Sequence, residues 1–311
     1  MEYRRSLVTG GAGFIGSSIV EKLLGKDYKV TVVDNLSNSN GKLIAKRDVE
    51  FIRGDISKLA VVNILRNYSF HHIYNFGSPS TDRFFTSNGK AVCETIRGMF
   101  NVLEIARVTG AVSIIYPSSG TVYGNLPAPQ TESAKIMPKS MYACTKMFLE
   151  NFAGTINFEG IALLGLRIFT GYGEREMSKS PDSRSVVSIF YKAISSNLQP
   201  VVYGDGQQRR DFVHSDDIAN IAIAGAEKKL AGVLNVGSGY STSFNELIDL
   251  LNRKLGKSIK PKYVNSPITK IDETRADISK LSTKLDYKPL KIEEGVELYL
   301  KRIKEIERLL S

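Results

Sequence analysis

Short apolar runs alternate with segments of helical periodicity through the first half of the chain. The strand-like runs are 6–9, 29–33, 49–52, 71–76, 111–116 and 161–168, and helical patterns occur between several of them, notably at 57–67, 87–108 and 138–158. The apolar runs contain little internal alternation, which is typical of strands covered on both faces. The pattern therefore predicts an α/β fold in which helices cover both faces of a doubly wound parallel sheet.

The pattern becomes less regular after about residue 168. Residues 171–185 are polar and charged, with Gly, Pro and Ser, and indicate a mobile loop. The patterns that follow predict helices at 183–197, 215–228 and 243–255, a strand at 233–236 and an amphipathic C-terminal helix around 298–308.

This change of pattern predicts two parts of unequal size. We expect one domain formed by 1–168 with about 203–236, and a smaller, partly interleaved C-terminal lobe formed by about 169–202 and 237–311. A ligand cleft should lie between them, at the carboxyl ends of the parallel strands.

Three glycines with the spacing of a dinucleotide-binding turn separate the first strand from the first helix. Gly10, Gly13 and Gly16 let backbone N–H groups and the helix N-terminus approach a pyrophosphate, as in Rossmann-type sheets. The second strand ends in Asp34, about 20 residues further on, where the motif places a carboxylate that binds the ribose hydroxyls of NAD. That charge would repel the extra phosphate of NADP, so we expect NAD. The alternative is that Asp34 only starts a turn before Asn35.

Composition restricts the class of protein. At 311 residues the chain can bury a full core, and its 42% hydrophobic and 24% charged residues are ordinary for a globular protein. No apolar run approaches the roughly 18 residues that span a bilayer, and no signal or transit segment precedes the first strand. We therefore expect no membrane partner. Two widely separated cysteines, Cys93 and Cys144, favour the reducing cytoplasm over a disulfide framework.

The formal net charge of +10 comes from Lys and Arg residues that are interleaved with Asp and Glu along the chain. It indicates a solvated surface with a mild attraction for anionic small molecules. No recognised nucleic-acid-binding motif accompanies the charge, so we expect no nucleic acid partner. We also expect no bound metal ion.

Tyr142 and Lys146 lie four residues apart in a predicted helix, and they therefore share one face. A tyrosine with a pKa of about 10 is a poor base at neutral pH. A neighbouring ammonium and the positive nicotinamide ring would favour the phenolate and lower that pKa. A second pair with the same spacing, Tyr287 and Lys291, contains Pro289 and is not helical, so it carries no such prediction.

The segment that follows the strand ending at Tyr116 places two hydroxyls at the carboxyl end of the sheet. Ser119 can bind a substrate hydroxyl and help Tyr142 to move its proton. The alternative, small residues in a tight turn, applies more strongly to Ser118.

These elements together resemble the extended short-chain dehydrogenase/reductase family and, within it, the NAD-dependent nucleotide-sugar epimerases similar to UDP-glucose 4-epimerase. The resemblance covers almost the whole chain, and its markers are Thr9 to Gly16, Asp34, Asp55-Ile56, Ser118 to Gly124, Tyr142 with Lys146, and Gly204 to Asp217. It implies a homodimer that binds a nucleoside-diphosphate sugar, with helices 87–108 and 138–158 at the dimer interface. The apolar residues offered for that interface are Met99, Phe100, Leu103, Phe148, Leu149 and Phe152.

The resemblance also implies a set of site residues. The catalytic residues would be Ser119, Tyr142 and Lys146. The residues that bind NAD would be Gly10, Gly13, Phe14, Ile15, Gly16, Asp34, Asn35, Asp55, Ile56, Phe76, Gly77, Ser78, Ser118, Tyr142, Lys146 and Phe169. The residues that bind the substrate would be Ser80, Ser119, Gly120, Thr121, Tyr142, Thr170 and Arg210, the last at the diphosphate, whereas Arg209 would be solvated.

The implied reaction is inversion at the 4-position of a UDP-hexose. Tyr142 would take the proton of the 4-hydroxyl while hydride passes from that carbon to NAD, and the 4-keto sugar would turn over before hydride returns. Lys146 would hold the nicotinamide ribose.

Three positions depart from the family pattern. Thr170 and Thr95 stand where asparagines are common, and no lysine lies near Ser80. These departures leave the preferred sugar open.

Two alternatives remain. UDP-glucuronate decarboxylases and nucleotide-sugar 4,6-dehydratases share the scaffold but usually carry an acidic residue at the position of Thr121. A non-catalytic NAD-binding sensor would not need Tyr142, Lys146 and Arg210 together.

Overall fold

A computed structural model describes residues 4–79, 81, 83–87, 89–156, 160–265 and 271–311. The strands are β1 (Arg5–Thr9), β2 (Lys29–Asp34), β3 (Glu50–Arg53), β4 (His72–Asn75), β5 (Ser113–Ser119), β6 (Ala162–Ile168), β7 (Thr170–Tyr172), β8 (Val201–Tyr203), β9 (Arg209–His214), β10 (Gly232–Val236), β11 (Ser241–Ser243) and β12 (Lys262–Val264). The helices are α1 (Phe14–Leu24), α2 (Leu59–Leu65), α3 (Arg83–Thr86), α4 (Lys90–Thr109), α5 (Met141–Thr155), α6 (Val186–Ser195), α7 (Ser215–Glu227), α8 (Phe244–Leu255), α9 (Ser279–Leu285) and α10 (Ile292–Leu310).

The central sheet confirms the predicted Rossmann-type fold. Across the described residues, seven strands pair in the order β3-β2-β1-β4-β5-β6-β10, and every pair is parallel. The strand order reverses between β1 and β4, which is where such sheets bind ligands. The glycine turn follows β1, so the fold places it at this point.

Apolar layers cover both faces of the sheet, which explains why its strands lack alternation. One core contains Ile19 and Leu23 of α1 with Ile218 and Ala222 of α7. The other contains residues of α2, α4 and α5, among them Leu103.

A separate core joins α6, α8 and α10, with Phe190, Leu247 and Val296. Beside it, β7, β9 and β11 form one small sheet, and β8 and β12 pair in another. Thus β9, which falls in the range 203–236, pairs outside the central sheet, whereas β10 lies at its edge. The proposed division of the chain into two parts stays a prediction.

The predicted loop at 171–185 needs correction. Part of it is β7, and two 3₁₀ turns follow at Glu174–Ser178 and Pro181–Ser183. Glu174, Arg175 and Glu176 are buried. Arg302 of α10 pairs with Glu174 at 3.6 Å and Glu21 of α1 pairs with Arg175, whereas Glu176 accepts hydrogen bonds from the Ser185 N–H and hydroxyl. Charge alone therefore misidentified a packed segment.

No helix within the described ranges has the length and apolar character needed to cross a membrane. The predicted helix 138–158 ends at Thr155 in the structure. Its predicted residues 157 and 158 and the candidate Ser80 lie outside the described residues.

Candidate active site

The turn after β1 is a close-packed backbone cradle. Gly10 has φ +66°, and a Cβ there would overlap the carbonyl oxygen of Phe76. A Cβ at Gly16 would overlap the carbonyl oxygen of Gly10. Gly13 is the N-cap of α1 and provides no side-chain acceptor for the first N–H groups of the helix. These N–H groups and the positive end of the helix dipole fit a pyrophosphate.

Asp34 lies beside this cradle and holds its shape. Its Oδ2 accepts a hydrogen bond from the Ala12 N–H at 3.0 Å, and its Oδ1 accepts one from the Leu36 N–H at 2.8 Å. Burial raises the pKa of Asp34, and the two hydrogen bonds oppose that rise. Each carboxylate oxygen accepts more than one hydrogen bond, so Asp34 can anchor the turn and still bind ribose hydroxyls.

A cleft of about 700 Å³ runs from this cradle to the ends of β5 and β6. Its lining includes every residue proposed to bind NAD, together with Ser119 and Thr121. Gly120, Thr170 and Arg210 are not among the residues that line it.

Tyr142 and Lys146 enter the cleft from the first turns of α5. Ser140 caps this helix by accepting a hydrogen bond from the Ala143 N–H at 3.1 Å. The Lys146 Nζ lies 5.3 Å from the centre of the Tyr142 ring. Lys146 is only 2% exposed. The spacing of four residues thus brings both side chains to one site.

The Tyr142 hydroxyl has two hydroxyl partners, Ser119 and Thr81. The Ser119 Oγ accepts hydrogen bonds from the Thr121 N–H at 3.2 Å and from the Thr121 hydroxyl at 3.0 Å. Because its lone pairs are used in this way, the hydrogen of Ser119 is available to Tyr142.

Burial dominates the electrostatics of this pair. It raises the pKa of Tyr142, and the hydrogen bonds from Ser119 and Thr81 oppose that rise. Burial also lowers the pKa of Lys146 to about 8. Lys146 was expected to lower the Tyr142 pKa. In the protein by itself, where the ammonium lies over the ring, burial outweighs that effect.

Ser118 differs from its neighbour Ser119. Its hydroxyl donates a hydrogen bond to Glu150 of α5, and this carboxylate also pairs with Arg167 at 2.7 Å. Ser118 therefore lines the cleft while its hydroxyl is engaged beneath it. Arg167 extends the network to the Tyr123 hydroxyl at 2.9 Å.

Arg210 lies on β9, and its Nη1 donates to the carbonyl oxygens of Arg209 and Ile271 at 2.8 and 2.9 Å. Its guanidinium lies 5.8 Å from the centre of the Phe244 ring. Arg209 keeps 36% of its side chain exposed and pairs with Glu246 at 2.9 Å, and its role as a solvated surface residue stays a prediction.

Several cleft residues were missed by sequence reasoning. Thr81, Arg83, Glu94, Lys179 and Arg184 all line the cleft. Arg83 pairs with Glu94 at 3.3 Å, and the Lys179 Nζ lies 4.2 Å from the centre of the Phe14 ring. These residues stand in polar segments without a motif, so no local signal could have identified them.

Thr95, which replaces a common asparagine, is buried and donates its hydroxyl to the Ala91 carbonyl at 2.8 Å. Its hydrogen bond is therefore satisfied within α4, and it does not line the main cleft.

Comparison with known proteins places this geometry in a family. The model of the NAD dependent epimerase/dehydratase family matches residues 6–237. The chain is 31% identical to a putative UDP-glucose 4-epimerase of Methanocaldococcus jannaschii, over 97% of this chain and 99% of that protein. It is 32% identical to a UDP-glucuronate 4-epimerase of Thermodesulfobacterium geofontis, over 94% and 93%.

A solved structure is similarly close. The UDP-glucose 4-epimerase of Thermotoga maritima, crystallised with UDP-glucose, superposes with a TM-score of 0.88 at 29% identity. The match covers 97% of this chain and 99% of that chain.

Proposed function

Because the chain belongs to the NAD-dependent epimerase/dehydratase family and NAD is its cofactor, we propose that it inverts the 4-position of a UDP-hexose of the UDP-glucose/UDP-galactose type. The observation that supports this reaction best is the convergence of Ser119, Tyr142 and Lys146 on the cleft that contains the glycine cradle. A tyrosine with a hydroxyl partner and a buried ammonium suits reversible proton transfer at a sugar hydroxyl.

The proposed NAD site uses the residues that line the cleft. The cradle of Gly10, Gly13 and Gly16 would hold the pyrophosphate, Asp34 the adenosine ribose, and Asp55 with Ile56 the adenine. When bound, NAD supplies a reversible hydride acceptor, so the proposed reaction has no net redox change. Lys146 would donate to the nicotinamide ribose, and its cation would vary with pH because its pKa is about 8.

The proton step belongs to Tyr142. Its phenolate oxygen would accept the proton of the sugar 4-hydroxyl, becoming the neutral hydroxyl, and would later return that proton, so the proton stays in the cleft. Ser119 would donate a hydrogen bond to the sugar oxygen or to Tyr142, since its own oxygen already accepts from the Thr121 N–H and hydroxyl. Thr121 itself carries a hydroxyl and no carboxyl, which favours epimerisation over the further step of a decarboxylase or dehydratase.

The sugar and diphosphate would be bound by the lobe formed by 169–202 and 237–311, with Gly120 and Thr170 at the junction. Arg210 is proposed for the diphosphate. Its Nη1 is fixed by two backbone carbonyls, and the planar fork of the guanidinium suits phosphate oxygens.

A homodimer is proposed on the exposed aromatic face of α4 and α5. Phe100 and Phe148 are 48% and 41% exposed. Phe152 packs against both, with ring centres 4.7 Å and 6.1 Å away. Met99, Leu103 and Leu149 are buried in the core, so they are not available for this interface. Light scattering at micromolar concentration tests the dimer, and a monomeric mass would exclude it.

A cytoplasmic location is proposed because Cys93 and Cys144 are exposed free thiols, which suit a reducing compartment. Cell fractionation tests this location.

Proton NMR of the purified protein tests the reaction. The protein is mixed with NAD⁺ and, separately, with UDP-galactose, UDP-N-acetylgalactosamine and UDP-glucuronate. New anomeric signals at unchanged substrate mass support epimerisation and rank the sugars. Loss of carbon dioxide or water would instead assign a decarboxylase or dehydratase. A Tyr142→Phe variant is the control, and equal turnover by this variant would contradict the assigned chemistry.

A further inference from the structure

Thr81 is a second hydroxyl partner of Tyr142, in addition to Ser119. It lies in the connection between β4 and α3, lines the same cleft, and is solvent-exposed. Ser119, by contrast, is 7% exposed. Of the two hydroxyl groups that oppose the rise in the Tyr142 pKa, one is therefore buried and the other exposed.

Packing around the tyrosine ring fixes the position of Thr81. Phe84 of α3 is 2% exposed and meets the Tyr142 ring edge-on, with ring centres 5.1 Å apart and an interplanar angle of 82°. The Phe84 N–H donates to the Thr81 carbonyl oxygen at 3.1 Å. Because Phe84 packs against the ring, this hydrogen bond ties the position of Thr81 to that of the Tyr142 side chain.

We infer that Thr81 is a positioning residue, whose hydroxyl donates a hydrogen bond to the phenolate form of Tyr142, holds its oxygen in the cleft and connects that oxygen to solvent. A phenolate oxygen has lone pairs for more than one donor, so Thr81 and Ser119 can act together. Hydrogen bonds to an ionised acceptor are stronger than neutral ones, so each donor favours the basic form. The inference rests on the proposed function in that Tyr142 is taken as the proton acceptor.

Other charges face Tyr142 and must be considered in any titration. Lys146 on the same helix lies over the ring. The Arg83–Glu94 pair joins α3 to α4 on the cleft wall, and the Glu150–Arg167 pair lies below the cleft between α5 and β6. Both pairs combine opposite charges, so Lys146 is the group whose titration must be separated from that of Tyr142.

The test uses the NAD-loaded, full-length protein and three variants. Thr81→Val removes the hydroxyl with little change of shape, Thr81→Ser retains it, and Thr86→Val makes the same change at an exposed position in α3. The first readout is the pH dependence of turnover. The second is the ultraviolet absorbance of the phenolate, taken as the difference between each protein and the same protein carrying Tyr142→Phe.

We expect Thr81→Val to move the Tyr142 midpoint upward by about one pH unit, which corresponds to about tenfold slower turnover below the midpoint. Thr81→Ser should restore the midpoint, and Thr86→Val should leave it in place. An unchanged midpoint in Thr81→Val, or a failure of Thr81→Ser to restore it, would overturn the inference. If the wild-type protein turns over no nucleotide sugar, the proposed function fails, while the absorbance titration still decides the role of Thr81.

Discussion

Helix α5 carries two buried charged residues one turn apart on the same side of the helix, and their side chains reach different surroundings. Glu150 faces β5 and β6, where Arg167 donates to its two oxygens at 2.9 and 2.7 Å. Lys146 faces the cleft, and no carboxylate in the described part of the chain forms a salt bridge with it. One region neutralises its buried charge with a partner, whereas the other presents its charge to the cleft.

The pKa directions show the energetic consequence of this difference. Burial disfavours the charged form of both cations. In Arg167 the hydrogen bonds and charge of Glu150 outweigh burial and raise the pKa. In Lys146 burial acts alone and lowers the pKa to about 8. A buried charge without a partner costs stability and is characteristic of functional sites. The comparison therefore separates the cleft turns of α5, which carry Tyr142 and Lys146, from its supporting turn, which carries Glu150.

The largest expected effect lies in the cleft turns of α5 and concerns activity. Tyr142→Phe should lower kcat by about 10³- to 10⁴-fold, because it removes the group that accepts the proton. Its unfolding temperature should stay close to that of the wild type, since the ring still packs against Phe84. NMR turnover and thermal unfolding measure the two effects. A large loss of stability with retained turnover would contradict the distinction between the cleft turns and the supporting turn of α5.

The supporting turn of α5 should respond in the opposite way. Glu150→Gln leaves Arg167 buried without its countercharge and should cost about 3–5 kcal/mol of unfolding free energy. The double variant Glu150→Leu with Arg167→Met removes both charges and should recover most of that loss. Denaturant unfolding measures both. Equal destabilisation by the single and double variants would show that shape, rather than charge pairing, matters at this position.

Lys146→Met sharpens the comparison, because it should stabilise the fold while abolishing turnover. Between pH 8 and 10.5 the unfolded chain binds the Lys146 proton and the folded chain does not. Wild-type stability therefore rises with pH across this window. The advantage of the methionine variant should be greatest below pH 8, at up to about 3 kcal/mol, and should vanish above the window. Lys139→Met, at an exposed position, is the control. A pH-independent difference would contradict this account.

Local sequence signals identified the main residues of the cleft. The glycine spacing, Asp34 and the Tyr142–Lys146 pair are each contained within a few residues of a recognisable strand or helix, and the fold brings them into one cleft. The seven parallel strands of the described sheet were predictable for the same reason.

The contacts between distant segments gave no such signal. Arg167 lies within an apolar run and finds Glu150 across 17 positions of chain. Glu174 is buried because Arg302, far along the chain, pairs with it. Thr81 is positioned by the packing of Phe84 on Tyr142. Contacts between distant segments determine these roles, so periodicity and spacing could not reveal them.

The smallest expected effects concern two aspartates, of which one supports the fold and the other lines the cleft. Asp211 is fully buried and accepts four hydrogen bonds, from Ser238 (N–H and hydroxyl), Gly239 and Ala276, which join three segments of the chain. Asp34 accepts two, from Ala12 and Leu36, and lines the cleft.

Asp34→Asn should weaken NAD binding about tenfold, or about 1.4 kcal/mol, since a neutral amide is a poorer acceptor for ribose hydroxyls. It should cost about 1 kcal/mol of stability, because one backbone N–H then faces an amide donor. Asp211→Asn should cost about 2 kcal/mol of stability and leave NAD affinity unchanged. Calorimetric titration with NAD and denaturant unfolding separate the two variants. If both lose affinity equally, Asp34 acts on the cofactor only through the stability of the fold, and the cradle then requires no carboxylate contact with the ribose.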